Sequence, residues 1–164
     1  MFQRISKMRE FAKNLERLKN GRVLIGIPGA AGKHEDSPLN KSELGYIHEK
    51  GAPEANIPAR PFLVPGVAKI RDEAAKRFKT AGLKTLKGDA KAKEQAFHQV
   101  GLIGVNSVRG HISDGIAPPL SPVTIQMRQT RKKNRRSASS TTPLIDTGEM
   151  RNSITYAVDK DYKP

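Results

Sequence analysis

The chain has 164 residues, no cysteine and a formal net charge of +14. These figures exclude a disulfide scaffold and a cysteine-based zinc site, and they make an anionic partner the expectation. The length suits a single domain, 1–164, yet only 36% of residues are hydrophobic and 5% aromatic, so a small core with long polar excursions is expected.

Ile5, Met8, Ala12, Leu15 and Leu18 recur at three- and four-residue steps with Lys and Arg between them. That spacing predicts a basic amphipathic helix over about 3–19, within an N-terminal segment 1–20. Asn20-Gly21 stops it. This segment has no apolar h-region, so it is not read as a secretory signal. Arg22 to Ile27 is β-branched and predicts a strand, which Pro28-Gly29 breaks. Ser42 is placed to cap a short helix, about 42–50, that Gly51 ends. Ala52 to Pro61 is irregular and proline-rich, with Phe62 and Leu63 as core anchors.

A second long helix is predicted over about 65–81, with Gly82 as its stop. Lys84 to Asp89 then reads as a charged connector. A third helix, about 90–113, carries Gly101, Gly104 and Gly110, which weaken it but permit close packing. Ser121-Pro122 opens a short helix to about Arg128. Leu144-Ile145 is read as a short bridge, and Ser153 to Val158 alternates as a strand. The expected fold is α+β: a small sheet packed against three main helices, with a long basic loop and irregular Pro-rich arms.

The charge is uneven. Residues 28–59 carry a net −2, and residues 60–119 carry +6. Arg128, Arg131, Lys132, Lys133, Arg135 and Arg136 place six charges within nine residues. A small polar run to Thr142 follows, so 129–142 reads as a mobile basic loop inserted in the domain. These six residues are the candidate DNA-facing groups.

Several chemical motifs fail on inspection. Gly29 and Gly32-Lys33 invite a phosphate-loop reading, but the spacing is wrong and His34 stands where Ser or Thr is needed. His34, His48, His98 and His111 lack metal-ligand spacing. No serine, histidine and acid arrangement has a nucleophile context. No catalytic residue, metal ligand or cofactor is therefore expected.

Three segments are more specific. The first runs Gly45-Tyr-Ile-His-Glu-Lys-Gly51 and then Ile57-Pro-Ala-Arg60-Pro-Phe62-Leu63. The second is Gly101-Leu-Ile-Gly-Val-Asn-Ser107, leading to Ile116-Ala-Pro-Pro-Leu-Ser-Pro122 and Ile125. The third is Thr142-Pro-Leu-Ile-Asp146-Thr-Gly-Glu-Met-Arg151-Asn-Ser-Ile154. Their physics is readable directly. Two prolines pre-order Arg60, which can fork onto a carboxylate or onto carbonyls. The segment then serves either as an elbow aiming Phe62 into the core or as a subunit contact. Asp146 or Thr147 caps a turn, and Arg151 pairs with a carboxylate, Glu149 being nearest. Ile57, Arg60, Phe62, Asp146 and Arg151 are the candidate interface residues.

In order and spacing, these segments resemble the small neck proteins of tailed bacteriophages, described as tail-completion, head–tail joining or virion-morphogenesis proteins. The resemblance covers about 45–158. It implies a structural virion protein rather than an enzyme, forming a ring at the head-proximal end of the tail. A hexamer is the expected homo-oligomer. The implied partners are copies of itself, head-completion or connector proteins, tail terminator or tail-tube proteins, and genomic DNA in the channel, with no membrane. The implied location is the virion neck, after assembly in the bacterial host cytoplasm. A tail terminator ring is the nearest alternative. A sequence-independent DNA-binding protein is the alternative from another class; six neutralised phosphates would give it a log–log salt slope of about −5.

Overall fold

The computed structural model describes residues 2–32, 39–130 and 141–163. They form an α+β fold with seven α-helices and a two-stranded antiparallel sheet. The helices are α1 (Phe2–Lys19), α2 (Lys41–Lys50), α3 (Leu63–Ala68), α4 (Arg71–Leu86), α5 (Ala92–Ser113), α6 (Pro122–Thr130) and α7 (Glu149–Asn152). The strands are β1 (Arg22–Gly26) and β2 (Thr155–Asp159). No described helix is long and apolar enough to cross a membrane. The 131–136 part of the basic segment, with Arg131, Lys132, Lys133, Arg135 and Arg136, lies outside the described residues, as does His34.

Contacts group the chain into two compact units. The first comprises Met1–Ile25, Ile70–Gly104 and Tyr156–Pro164; the second comprises Gly26–Lys69 and Val105–Thr155. Each is interrupted in sequence, because the chain leaves and re-enters it. The single-domain reading had no signal for this division, since no linker composition marks it.

The first unit pairs α1 with α4. Its buried side chains are small: Ala81, Ala92, Ala96 and Val100, with Thr85 and Asn14. Phe78 and Phe97 meet edge to face, with centroids 5.6 Å apart. Gly101 is required there, because a Cβ would enter the Tyr156 ring. Lys93 donates to the carbonyls of Arg17 and Asn20, closing the end of α1. Burial lowers the pKa of that ammonium. The strand ends are tied by Arg22, which reaches Asp159 at 3.1 Å and stacks over Tyr162.

The second unit buries large side chains: Phe62, Val105, Val108, Ile112, Ile116, Met150 and Ile154. Gly66 of α3 lies against α5 so closely that a Cβ would sit 2.8 Å from the Val108 Cα. The Ser107 hydroxyl donates to the Gly66 carbonyl at 2.7 Å and fixes that approach.

Several sequence expectations change. The expected N-terminal helix forms as α1, with Ile5, Met8, Ala12 and Leu15 exposed and Asn14 buried. The predicted second helix is two helices, α3 and α4, and α4 passes through Gly82 to Leu86. That glycine has open space around it, and a lone helical glycine costs only about 1 kcal/mol. The start of α2 is capped by Asn40, not Ser42. Asn40 accepts from the Ser42 and Glu43 amides while Glu43 reaches back to the Asn40 amide. Leu144 adopts a left-handed φ of 65° in a turn, so Leu144-Ile145 is not a bridge.

Candidate functional site

Most of the three segments singled out in the sequence lies in the second unit, while Gly101 to Gly104 belong to the first. A cavity of about 200 Å³ in the second unit is lined by His48 and Arg60 of the first segment, Leu120 of the second, and Asp146 and Glu149 of the third, with Leu44 and Arg128 from outside them. Each wall has a local cause.

Arg60 lies between Pro58 and Pro61, which hold it extended. Its amide donates to the His48 carbonyl at 2.7 Å. Its guanidinium donates to the carbonyls of Pro118 at 2.8 Å and Pro119 at 3.1 Å. The fork therefore lands on carbonyls, not on a carboxylate. Burial and, secondarily, the nearby Arg128 charge lower the Arg60 pKa. Proline lacks an amide donor but keeps its carbonyl, so the 118–119 pair is a ready acceptor.

Glu49, at the end of α2, performs a long-range cap. Its carboxylate accepts from the amides of Phe62 at 2.7 Å, Leu63 at 2.8 Å and Val64 at 3.1 Å. These are among the amide groups that a helix start leaves without intrahelical partners. A negative charge also suits the positive end of α3. Sequence reasoning missed this role, because a cap thirteen residues away has no local pattern.

Arg128 closes the opposite wall. It donates to the carbonyls of Thr142 at 3.3 Å and Ile145 at 2.8 Å, and lies 3.9 Å from Asp146. Its side chain is only 12% exposed. This corrects its membership of the DNA-facing set: Arg128 holds residues 142–146 to the end of α6. The helix also runs two residues further than expected, to Thr130.

The candidate interface residues are distributed in the same unit. Phe62 is 2% exposed and Arg60 8% exposed, so neither is a surface group that a neighbouring subunit reads directly. The elbow reading fits these two. Ile57 is half-buried and pairs its backbone with Ala52. Asp146 faces Arg128. Arg151 does not take Glu149 as partner; its Nε donates to Ser113 Oγ at 3.1 Å and the Arg109 carbonyl at 3.4 Å. Glu149 pairs instead with Lys41 at 3.5 Å. Gly148 at φ 80° opens α7, and Thr147 Oγ1 accepts from the Glu149 amide. Thr147 is thus one of the two expected groups that bonds to this turn.

His48 lines the cavity, His98 lies 3.2 Å from the Tyr156 hydroxyl, and His111 lies 3.2 Å from the Lys69 ammonium. No group of three potential metal ligands occurs among the described residues. Comparison with protein families, curated proteins and solved structures found no match.

Proposed function

We propose that the chain is a structural virion protein. It forms a ring, best drawn as a hexamer, at the head-proximal end of a phage tail and joins the tail to head-completion proteins around the DNA channel. One observation supports this reading: residues from all three segments that resemble phage neck proteins, among them His48 and Arg60, Leu120, and Asp146 and Glu149, line one cavity in the second unit. The role requires rigid elbows and charged surfaces, and no catalytic group. The arrangement of Glu49, Arg60 and Arg128 is of that kind, since each charge fixes backbone.

The net charge favours genomic DNA as a neighbour in the channel. With Arg128 committed to residues 142–146, five cations of the basic segment remain for phosphate. A log–log salt slope of about −4.5 follows for the free protein on duplex DNA. That number also serves the second reading, a sequence-independent DNA-binding protein.

Deletion of the gene from the phage separates the readings. A joining role predicts filled heads and free tails in electron micrographs. Normal particles lacking the protein would overturn it, and DNA binding with unchanged particles would leave the second reading.

A further inference from the structure

In the first unit, α4 and α5 flank a groove of about 210 Å³. Arg77, Thr80 and Lys84 of α4 line it from one side, and Gln95 and Gln99 of α5 from the other. The buried Ala81, Ala92 and Ala96 complete it. Its polar lining is cation, hydroxyl and amide, with no carboxylate. Arg77 is held by Glu73 at 2.5 Å and donates to Gln99 Oε1 at 3.1 Å, which leaves the Gln99 N–H donors for another acceptor. Lys76 stands one turn before Thr80, and Lys87 about one turn after Lys84; both are exposed. The ammonium groups of Lys76, Lys79, Lys84 and Lys87 have no hydrogen-bond or ion-pair partner among the described residues. Residues 76–91 hold six Lys or Arg and one carboxylate, Asp89, which accepts from the amides of Lys91 and Ala92. Asp72 lies a turn before Lys76 and Glu10 of α1 comes near Gly88, but neither lines the groove.

We propose that this groove and its lysines seat the phosphate backbone of duplex DNA. A lining of cations and neutral donors selects an anion. Lys76 and Lys87 stand about 16 Å apart along α4 at its helical rise, too far for one phosphate ion to meet both. Duplex DNA offers a row of phosphates, about one charge per 1.7 Å of axis. No aromatic side chain lines the groove, so unpaired bases find no stacking platform there, and the duplex is favoured over a single strand. The inference rests on DNA as the neighbour proposed above and deepens it by naming a contact surface in the folded first unit. Its lysines add to the five cations of the basic segment, so the full chain has a steeper salt slope than that segment gives alone.

The test is fluorescence anisotropy of the full chain with a labelled 30-base-pair duplex at 50 mM salt. Lys76→Gln/Lys84→Gln/Lys87→Gln should weaken binding at least tenfold and reduce the log–log salt slope by about 2.7. All three positions are exposed, and glutamine is as good a helix former as lysine, so circular dichroism should not change. A second variant replaces the five cations of 131–136 by Ser and should keep salt-dependent duplex binding. A triple variant that binds like the wild type would overturn the inference and leave DNA as a neighbour. So would a folded second variant that binds no duplex. A wild-type chain that binds no duplex would remove both. Tighter binding of a single strand of the same length would make the occupant unpaired DNA, and displacement of the duplex by inorganic phosphate at matched ionic strength would make it a lone phosphate; either result overturns the proposal.

Discussion

The two units solve the packing problem differently. The second buries Phe62, Ile112, Met150 and Ile154, and leaves Tyr46, Val64, Val123 and Met127 exposed. The first buries alanines, a valine and a threonine while exposing Ile5, Met8, Phe11, Leu15, Leu24, Phe78, Leu83 and Leu102. Apolar burial scales with area removed from water, so an alanine core supplies little of the driving force that an isoleucine core does. The difference teaches which core supplies more of the stability. Both units leave apolar side chains exposed, but only the second has a core of large ones held around fixed backbone.

The strongest way to break this comparison is to make the second unit resemble the first. Ile112→Ala removes a side chain with no exposure and should cost about 2–5 kcal/mol in urea denaturation. A loss below about 1 kcal/mol would show that the second core does not carry the stability assigned to it. The opposite change, Ala96→Leu in the first unit, overpacks a small site and should cost about 1–3 kcal/mol.

A comparable effect sharpens the account of the elbow. Glu49→Gln replaces an acceptor-only carboxylate by a group with donors facing three amides. It should destabilise by about 2–3 kcal/mol. Amide hydrogen exchange should rise first at Phe62, Leu63 and Val64. Exchange unchanged at those amides would remove Glu49 from its capping role.

The smallest effect is expected at Glu94. The Lys160 hydrogen bond and charge hold its carboxyl below the usual carboxylate range. A depressed carboxylate contributes stability above its unfolded value and loses it as pH falls through the folded value. Both partners are solvent-exposed, so screening removes most of the gain. Glu94→Gln should leave the melting temperature at pH 7 unchanged, and a clear drop would mean that the 94–160 pair organises the first unit.

The sequence made much of this legible where the signal was local. Helical periodicity located α1 and α5, Ser121-Pro122 marked the start of α6, and alternation located β2. Proline pairs around Arg60 announced a rigid elbow, and the structure supplies its acceptors. What stayed hidden was long-range. Periodicity reports that α1 has an apolar face but not whether that face meets a core. Gly82 looked like a stop because glycine is a poor helix former, but tertiary packing carried α4 past it. Arg128 belonged by composition to a basic run, while its geometry ties it to Thr142 and Ile145. Glu49 gave no sign of a partner, because its three amides lie beyond a turn and a proline-rich arm.

Cryo-electron microscopy of the assembled phage particle tests the central claim most directly. The account predicts this chain as a closed ring between the head-completion proteins and the tail tube, with DNA or its channel on the axis. Particles in which the neck contains no copy of the chain would contradict it.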